Sequence, residues 1–290
     1  MTTLITLLGE QPIPSLLTIR HFSPDSIYLV YTSRTEVVAK NVAVLVDKSV
    51  ESIQVEPFDL VAIERRLRDQ LPRQYGDVVA DVTGGTKPMS LALSRIAATN
   101  NWVISYLQSQ NRESHIYSYV HKEGEIISSR DDIVRPLLTI DEFIRAYGIY
   151  DYKCTEFASH EGGVFERSIF EALATTVDEI EHGVQLLGSL DVDLILRRSN
   201  RVGLVEVKLG SNGRKKAIDQ INTAGGQRYL GTYTKKMIVS NVSWERDTNL
   251  RELAAARHIT VVSVPNYKRG DKALTEEDRQ QLMSAIANWL

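Results

Sequence analysis

The tightest constraint on the fold comes from residues 190–210, LDVDLILRRSNRVGLVEVKLG. Its two apolar arms alternate with period two, the repeat of a strand whose successive side chains face opposite ways. Leu190, Val192 and Leu194 fall on one face, and Asp191 and Asp193 on the other. On the second arm Val205, Val207 and Leu209 share the apolar face, leaving Glu206 and Lys208 opposite. The link RRSNRVG holds the Ser, Asn and Gly of a turn, so the arms read as a hairpin. Two acids and a lysine then gather on one face of a sheet. Carboxylate oxygens suit hard divalent cations such as Mg²⁺. A lysine beside such an ion can position or deprotonate an attacking water. Polar residues alternating on a half-exposed strand pair give the same pattern, so Glu-x-Lys alone does not decide the matter.

The longer string is more specific. Asp193, twelve residues, then Glu206-Val207-Lys208 resembles the core of the PD-(D/E)xK nucleases, a fold shared by many restriction-type endonucleases. The resemblance implies that Asp193 and Glu206 hold Mg²⁺ or Mn²⁺, with the Val207 carbonyl as a third ligand and Asp191 in reserve. Lys208 would orient the attacking hydroxide or steady the charge of the transition state.

At 290 residues the chain has room for two ordinary domains. A net charge of -3 provides no overall basic field, so an enzyme acting on nucleic acid would depend on a local basic patch or on metal ions. The single cysteine, Cys154, excludes an internal disulfide and a cysteine zinc cluster, and fits a reducing cytoplasm. MTTLITLLGEQP lacks a basic start and reads as a buried first strand; no apolar run reaches membrane-spanning length.

The first half alternates strands with helices. TLITLL (3–8) is a strand, SLLTIRHF a helix, IYLVYTSRTE (27–36) a strand, and residues 36–49 have helical spacing. SIQVEP follows as a short strand, then FDLVAIERRLRDQL (58–71), an amphipathic helix closed by Pro72. DVVADVTGGTKPMSLALSRIAATN (77–100) is strand, glycine turn, helix; WVISYLQ is a strand; IYSYV and EIISS flank HKEG as a hairpin. That order predicts an α/β, doubly wound parallel sheet with a hairpin at its end.

Ligands of such sheets sit beyond the carboxyl ends of the strands, where the loops GEQPIP, TSRTE and TGGTKP fall. Gly84 and Gly85 free the backbone to approach a ligand at a helix start, and Thr83, Thr86 and Lys87 add hydroxyls and charge. The spacing is neither that of a Walker loop nor that of the dinucleotide fingerprint. A tight turn and a phosphodiester-binding edge both fit it. Together the three loops resemble the CARF domain (CRISPR-associated Rossmann fold) over about residues 3–130, in particular the CARF half of CRISPR ancillary nucleases that also carry a PD-(D/E)xK domain. The resemblance implies a sensor of cyclic oligoadenylate, bound across a homodimer. Its binding residues would be Gly9, Glu10 and Gln11, then Thr32, Ser33 and Arg34, then Gly84, Gly85, Thr86 and Lys87.

Residues 1–135 form the expected sensor domain, 136–150 a linker helix, and 151–290 a restriction-endonuclease-like α/β domain. Thr139 and Glu142 have capping-box spacing at the start of the linker helix. HEGGVFERSIFEALATT (160–176) is an amphipathic helix with Glu166 beside its apolar stripe. A surface glutamate is the plain alternative, and Glu171 is the substitute acid. G-G-x-x-E resembles the same nuclease family, whose acid on this helix supports a metal, although Val164 and Arg167 stand where the family has an aromatic residue and a second acid. Arg214, Lys215 and Lys216 are either a solvated helix start or contacts to substrate phosphates. A-G-G-Q-R-Y (224–229) again resembles the family. His160, His182 and His258 are scattered and read as structural or surface residues.

The expected function is a metal-dependent endonuclease of type III CRISPR defence, activated by cyclic oligoadenylate, with cyclic tetra-adenylate the favoured ring. Its substrate would be single-stranded DNA or RNA, or nicked duplex. The alternatives are a cyclic-oligoadenylate-binding regulator with an inactive nuclease fold, and a ring nuclease that degrades the activator.

Overall fold

The structure is a computed structural model that describes residues 1–290 apart from 72–75, 111, 189 and 228. Two sequence expectations, the helix-closing Pro72 and the Arg228 of A-G-G-Q-R-Y, lie outside the described residues. The chain divides into two compact units. One is Met1–Leu138 with Arg145–Gly148; the other is Thr139–Ile144 with Ile149–Leu290.

In the first unit the central strands, Thr2–Leu7, Ser26–Tyr31 and Asp77–Asp81, are buried on both sides, as a parallel sheet covered by helices on both faces requires. The elements are β1 (Thr2–Leu7), α1 (Pro12–Phe22), β2 (Ser26–Tyr31), a 3₁₀ turn (Ser33–Thr35), α2 (Glu36–Val44), β3 (Ser49–Gln54), α3 (Leu60–Gln70), β4 (Asp77–Asp81), α4 (Lys87–Asn100), β5 (Val103–Gln110), β6 (Glu113–Lys122) and β7 (Glu125–Ile133). The sheet order is β3-β2-β1-β4-β5-β6-β7. The first five strands are parallel and the last two antiparallel, so the doubly wound sheet ends in a hairpin as expected. Ile5, Leu7 and Val30 pack with Ile63 and Leu67 of α3 and Leu93 of α4 on one face. Leu4, Ile27 and Leu29 pack with Ile19 of α1 and Val42 of α2 on the other. Helix α2 stops at Val44, five residues short of the expected 49, because the chain must already enter β3 at Ser49. Val37, assigned to its apolar stripe from the spacing, faces outward.

Helix α5 (Ile140–Ala146) contributes residues to both units, and the reciprocal Thr139–Glu142 bonds cap it at 3.1 Å each. The second unit continues with β8 (Lys153–Cys154), α6 (Glu161–Leu173), β9 (Glu179–Leu186), β10 (Leu190–Arg198), β11 (Arg201–Lys208), α7 (Arg214–Ala224), β12 (Lys235–Ser240), α8 (Thr248–Ala256), β13 (Ile259–Ser263) and α9 (Glu276–Trp289). Its sheet order is β13-β12-β11-β10-β9-β8. The β10–β11 hairpin is tighter than the sequence suggested. Arg198 pairs with Arg201, leaving only Ser199 and Asn200 in the turn, with Ser199 at φ 54°. Strand β9 and helix α8 were not anticipated. The core of this unit joins Phe165 and Ile169 of α6 and Ile286 of α9 to Leu194, Val205 and Val207.

Candidate functional site

The apolar face of the β10–β11 hairpin lies in the core as its alternation requires. The opposite face is not open to water, because α7 packs over β10, β11 and β12 with Ala217, Ile218 and Ile221 buried. Glu206 is therefore 1% exposed. Lys208 Nζ lies 2.7 Å from Glu206 Oε1 and 3.5 Å from Asp193 Oδ2. The same Asp193 oxygen accepts the Val207 N–H at 2.6 Å, just past the Leu194–Val205 pair where the recorded ladder ends. Neither Glu206 oxygen has an aligned hydrogen-bond donor, although Lys208 Nζ stands close to Oε1. Burial, and next the charge of Asp193, push the Glu206 carboxyl up to about 8 against the pull of Lys208. Burial works hardest against the Lys208 ammonium, but Glu206, Asp193 and Glu166 together outweigh it and raise its pKa. The balance favours the ammonium form of Lys208.

Glu166 joins this charge cluster from α6. Burial, then the Asp193 charge, raise its pKa; His182 and Lys208 oppose them. His182, on β9, is the residue that sequence reasoning passed over. Its Nδ1 lies 3.0 Å from the Thr155 carbonyl, which can only accept, so Nδ1 carries a proton. Its Nε2 faces Glu166 Oε2 at 3.4 Å, a pairing that needs one proton between the two atoms. The Phe157 ring stacks on the imidazole with centroids 3.6 Å apart and holds it in place. A signal was present in the sequence. Ile180, Val184 and Leu186 alternate with Glu179, Glu181 and Gln185, and His182 falls in the apolar phase.

The remaining candidates in this unit stand apart. Asp191 is exposed and accepts a hydrogen bond from Gln185 Nε2 at 3.1 Å; Glu171 is exposed on α6. His160 caps α6 through the Gly163 N–H at 3.1 Å. The second glycine of G-G-x-x-E answers a packing demand, since a Cβ on Gly163 would stand 2.1 Å from the Ala158 carbonyl oxygen. Arg214, read as a candidate phosphate contact, is buried over the Trp244 ring and paired with Asp247 at 3.6 Å. Burial removes it from any substrate, whereas Lys215 and Lys216 are exposed.

Among the described residues, no three His, Cys, Asp or Glu groups stand at metal-holding spacing. The donor chemistry nevertheless fits a hard divalent cation. Two carboxylates share a confined position, and the buried one has a Glu206 Oε2 with no hydrogen-bond partner.

In the first unit, β1, β2 and β4 are neighbours, so their three following loops meet on one sheet edge. The strand order reverses between β1 and β4, where ligands of such sheets bind. A Cβ on Gly84 would lie 2.1 Å from the Leu7 carbonyl oxygen and 2.7 Å from the Gly9 nitrogen, so the first and third loops touch backbone to backbone. Gly85 has φ 74°. Arg34 Nη2 pairs with Glu10 Oε1 at 2.5 Å, and Gln11 Oε1 accepts from the Tyr147 hydroxyl at 3.0 Å. The Thr32 N–H donates to Thr35 Oγ1 at 3.0 Å and pins the 3₁₀ turn, while Thr86 Oγ1 donates to the Pro57 carbonyl at 2.5 Å. Ser33 and Lys87 are exposed. Beneath the loops lies Asp81, which sequence reasoning did not single out. It is fully buried and accepts from Thr6 Oγ1 at 2.6 Å and Thr83 Oγ1 at 2.5 Å; burial still pushes its carboxyl up to about 6. Asp81 thereby ties the TGGTKP loop to the end of β4.

Comparison with known proteins agrees with this architecture. Residues 3–143 match the family model of the Card1 CARF domain, and the amino-terminal part of the chain is a CARF domain with a Rossmann-like fold. No curated protein matches the chain in sequence. Among solved structures the chain is similar to Can2 from Sulfobacillus thermosulfidooxidans in complex with cyclic tetra-adenylate, at 15% identity and TM-score 0.74. That match covers 100% of this chain and 99% of that one. It is similar to protein VC1899 from Vibrio cholerae at 10% identity and TM-score 0.73, over 99% and 97% of the two chains. A type III CRISPR defence DNA nuclease activated by cyclic oligoadenylate matches at 15% identity and TM-score 0.60, over 82% of this chain and 45% of that one. The fold is thus a Rossmann-like CARF domain followed by a second α/β domain. No helix among the described residues is long and apolar enough to cross a membrane.

Proposed function

We propose that this protein is a nuclease of type III CRISPR defence, switched on when its CARF domain binds cyclic oligoadenylate, with cyclic tetra-adenylate the favoured ring. The observation that carries the reading is Lys208 Nζ lying between Asp193 and Glu206 in the α/β unit that follows a CARF domain. Asp193 and Glu206, with the Val207 carbonyl, would hold Mg²⁺ or Mn²⁺, and Glu166 would support the ion from α6. The bound ion would supply Lewis-acid charge and an activated water. Lys208, kept protonated by its acidic neighbours, would stabilise the negative charge that builds on the phosphorane-like transition state. His182 would hold Glu166 in position. In the sensor, the loop residues Gly9, Glu10, Gln11, Thr32, Ser33, Arg34, Gly84, Gly85, Thr86 and Lys87 would take the ring. A symmetric ligand suits a homodimer, and activation would be a shift between two states that bind the ring unequally. The substrate would be single-stranded DNA or RNA, or nicked duplex.

One observation favours a second reading, a cyclic-oligoadenylate-binding regulator whose second unit does not cut: the absence of a three-ligand metal cluster among the described residues. The test is to incubate the protein with Mn²⁺ and labelled single-stranded DNA or RNA, with and without each cyclic oligoadenylate. Cleavage is expected only with activator. Lys208→Ala or Glu206→Ala is expected to lower cleavage ~100- to 1000-fold, the scale of a lost transition-state charge contact, with cyclic tetra-adenylate affinity within about twofold of the parent. Cleavage by the parent that persists in both variants would remove the site from the mechanism. Ring binding with no cleavage in any metal would establish the regulator.

A further inference from the structure

The carboxyl ends of β11, β12 and β13 open into a cleft of about 470 Å³ in the second unit, whose lining begins at Leu209, the residue after Lys208. That volume is in the range of small-ligand sites. Gly210, Asn212, Asn241, Tyr267, Lys268 and Arg269 are among its lining residues; among the described residues no carboxylate lines it, although the whole chain is net acidic. Its floor is built. The Gly210 N–H donates to Asn241 Oδ1 at 2.6 Å, Asn241 Nδ2 donates to the Tyr267 carbonyl at 3.3 Å, and Tyr267 is buried against Phe165. Gly210 has φ 89°, and a Cβ there would come within 3.7 Å of the Arg269 guanidinium. The two cations are weakly engaged. Arg269 meets Glu161 at 3.4 Å with both side chains exposed, a pairing worth little in water, and Lys268 Nζ donates to the Pro265 carbonyl at 2.8 Å.

We infer that this cleft is a phosphate subsite for the substrate strand. It holds a phosphodiester next to the one at Lys208 through Arg269 and Lys268, with the Asn212 amide as a further donor. The inference rests on the nuclease reading for its meaning but not for its test. Its ligand is the backbone of a single strand, read by charge and not by base. Arg can grip two phosphate oxygens at once, and Lys adds a point charge.

The experiment measures fluorescence anisotropy of a labelled twelve-nucleotide thymidine strand in Ca²⁺ with cyclic tetra-adenylate, across a salt series. The parent is compared with Lys268→Ala/Arg269→Ala and with a control, Arg246→Ala/Arg251→Ala, which removes the same charge from exposed positions elsewhere in the unit. The cleft variant is expected to bind about 5- to 20-fold more weakly, and its slope of log K against log salt to fall by roughly 0.7–1.4, one or two phosphate contacts. Where the parent cuts, KM rises and kcat stays within about twofold. No binding by the parent, an unchanged cleft variant, or an equal loss in the control overturns the subsite. A parent that binds but never cuts defeats the nuclease reading alone.

Discussion

Glu206 shows what a residue can cost where it stands. Its carboxyl is protonated in both folded and unfolded chains below about 4.5, the ordinary glutamate value. Between there and about 8 the folded chain keeps a proton that the unfolded chain has released, so stability falls as pH rises through that window. The slope from one such group is at most ~1.4 kcal/mol per pH unit. Glu206→Gln removes the titration. It is expected to be more stable than the parent at pH 8 by on the order of a few kcal/mol, with the difference closing towards pH 4.5; urea unfolding at a series of pH values measures this. A variant less stable than the parent at pH 8 would mean that the Lys208 ion pair outweighs burial. At this scale Asp193, Glu206 and Lys208 were legible because period-two alternation alone puts them on one face. His182 was not, because a lone histidine gains meaning only from what it faces.

At the scale of the element, the TGGTKP turn carries the sharpest demand on sequence. Alanine at Gly84 would drive its Cβ into the Leu7 carbonyl at 2.1 Å, and the atoms in the way are backbone. Gly84→Ala is expected to destabilise the first unit by ~1–3 kcal/mol, the usual range for overpacking, and, under the proposed function, to weaken cyclic oligoadenylate binding at least tenfold. Thermal unfolding and calorimetric titration would show it; a variant with parental stability would contradict the contact. The strand-turn-helix around this loop was readable from apolar periodicity and glycine placement. Helix α2 was read too long, since valines at helical spacing continue past the point where the chain turns. Strand β9 was overlooked although its alternation is regular, because its polar phase begins with charged residues.

At the scale of the whole molecule, each unit has a core of its own. Leu194 is fully buried in the second. Leu194→Ala is therefore expected to lower the stability of that unit by ~2–5 kcal/mol, as large-to-small core changes do. Under the proposed function it leaves ring affinity in the CARF domain within about twofold. Two unfolding transitions, only one of them shifted, would bear this out; a common shift of both would show that the units unfold together. The cleft beyond β11 also belongs to this scale, since its lining is drawn from segments up to sixty residues apart in the chain.

Local periodicity and turn chemistry sufficed to place a doubly wound sheet before an acid-bearing hairpin, because backbone geometry imposes repeats of 2.0 and 3.6 that a single chain displays on its own. The burial of Glu206 beneath α7, the removal of Arg214 from solvent and the meeting of His182 with Glu166 were settled only by tertiary packing. Each depends on a second element covering the first, and no local repeat records which face another element will cover.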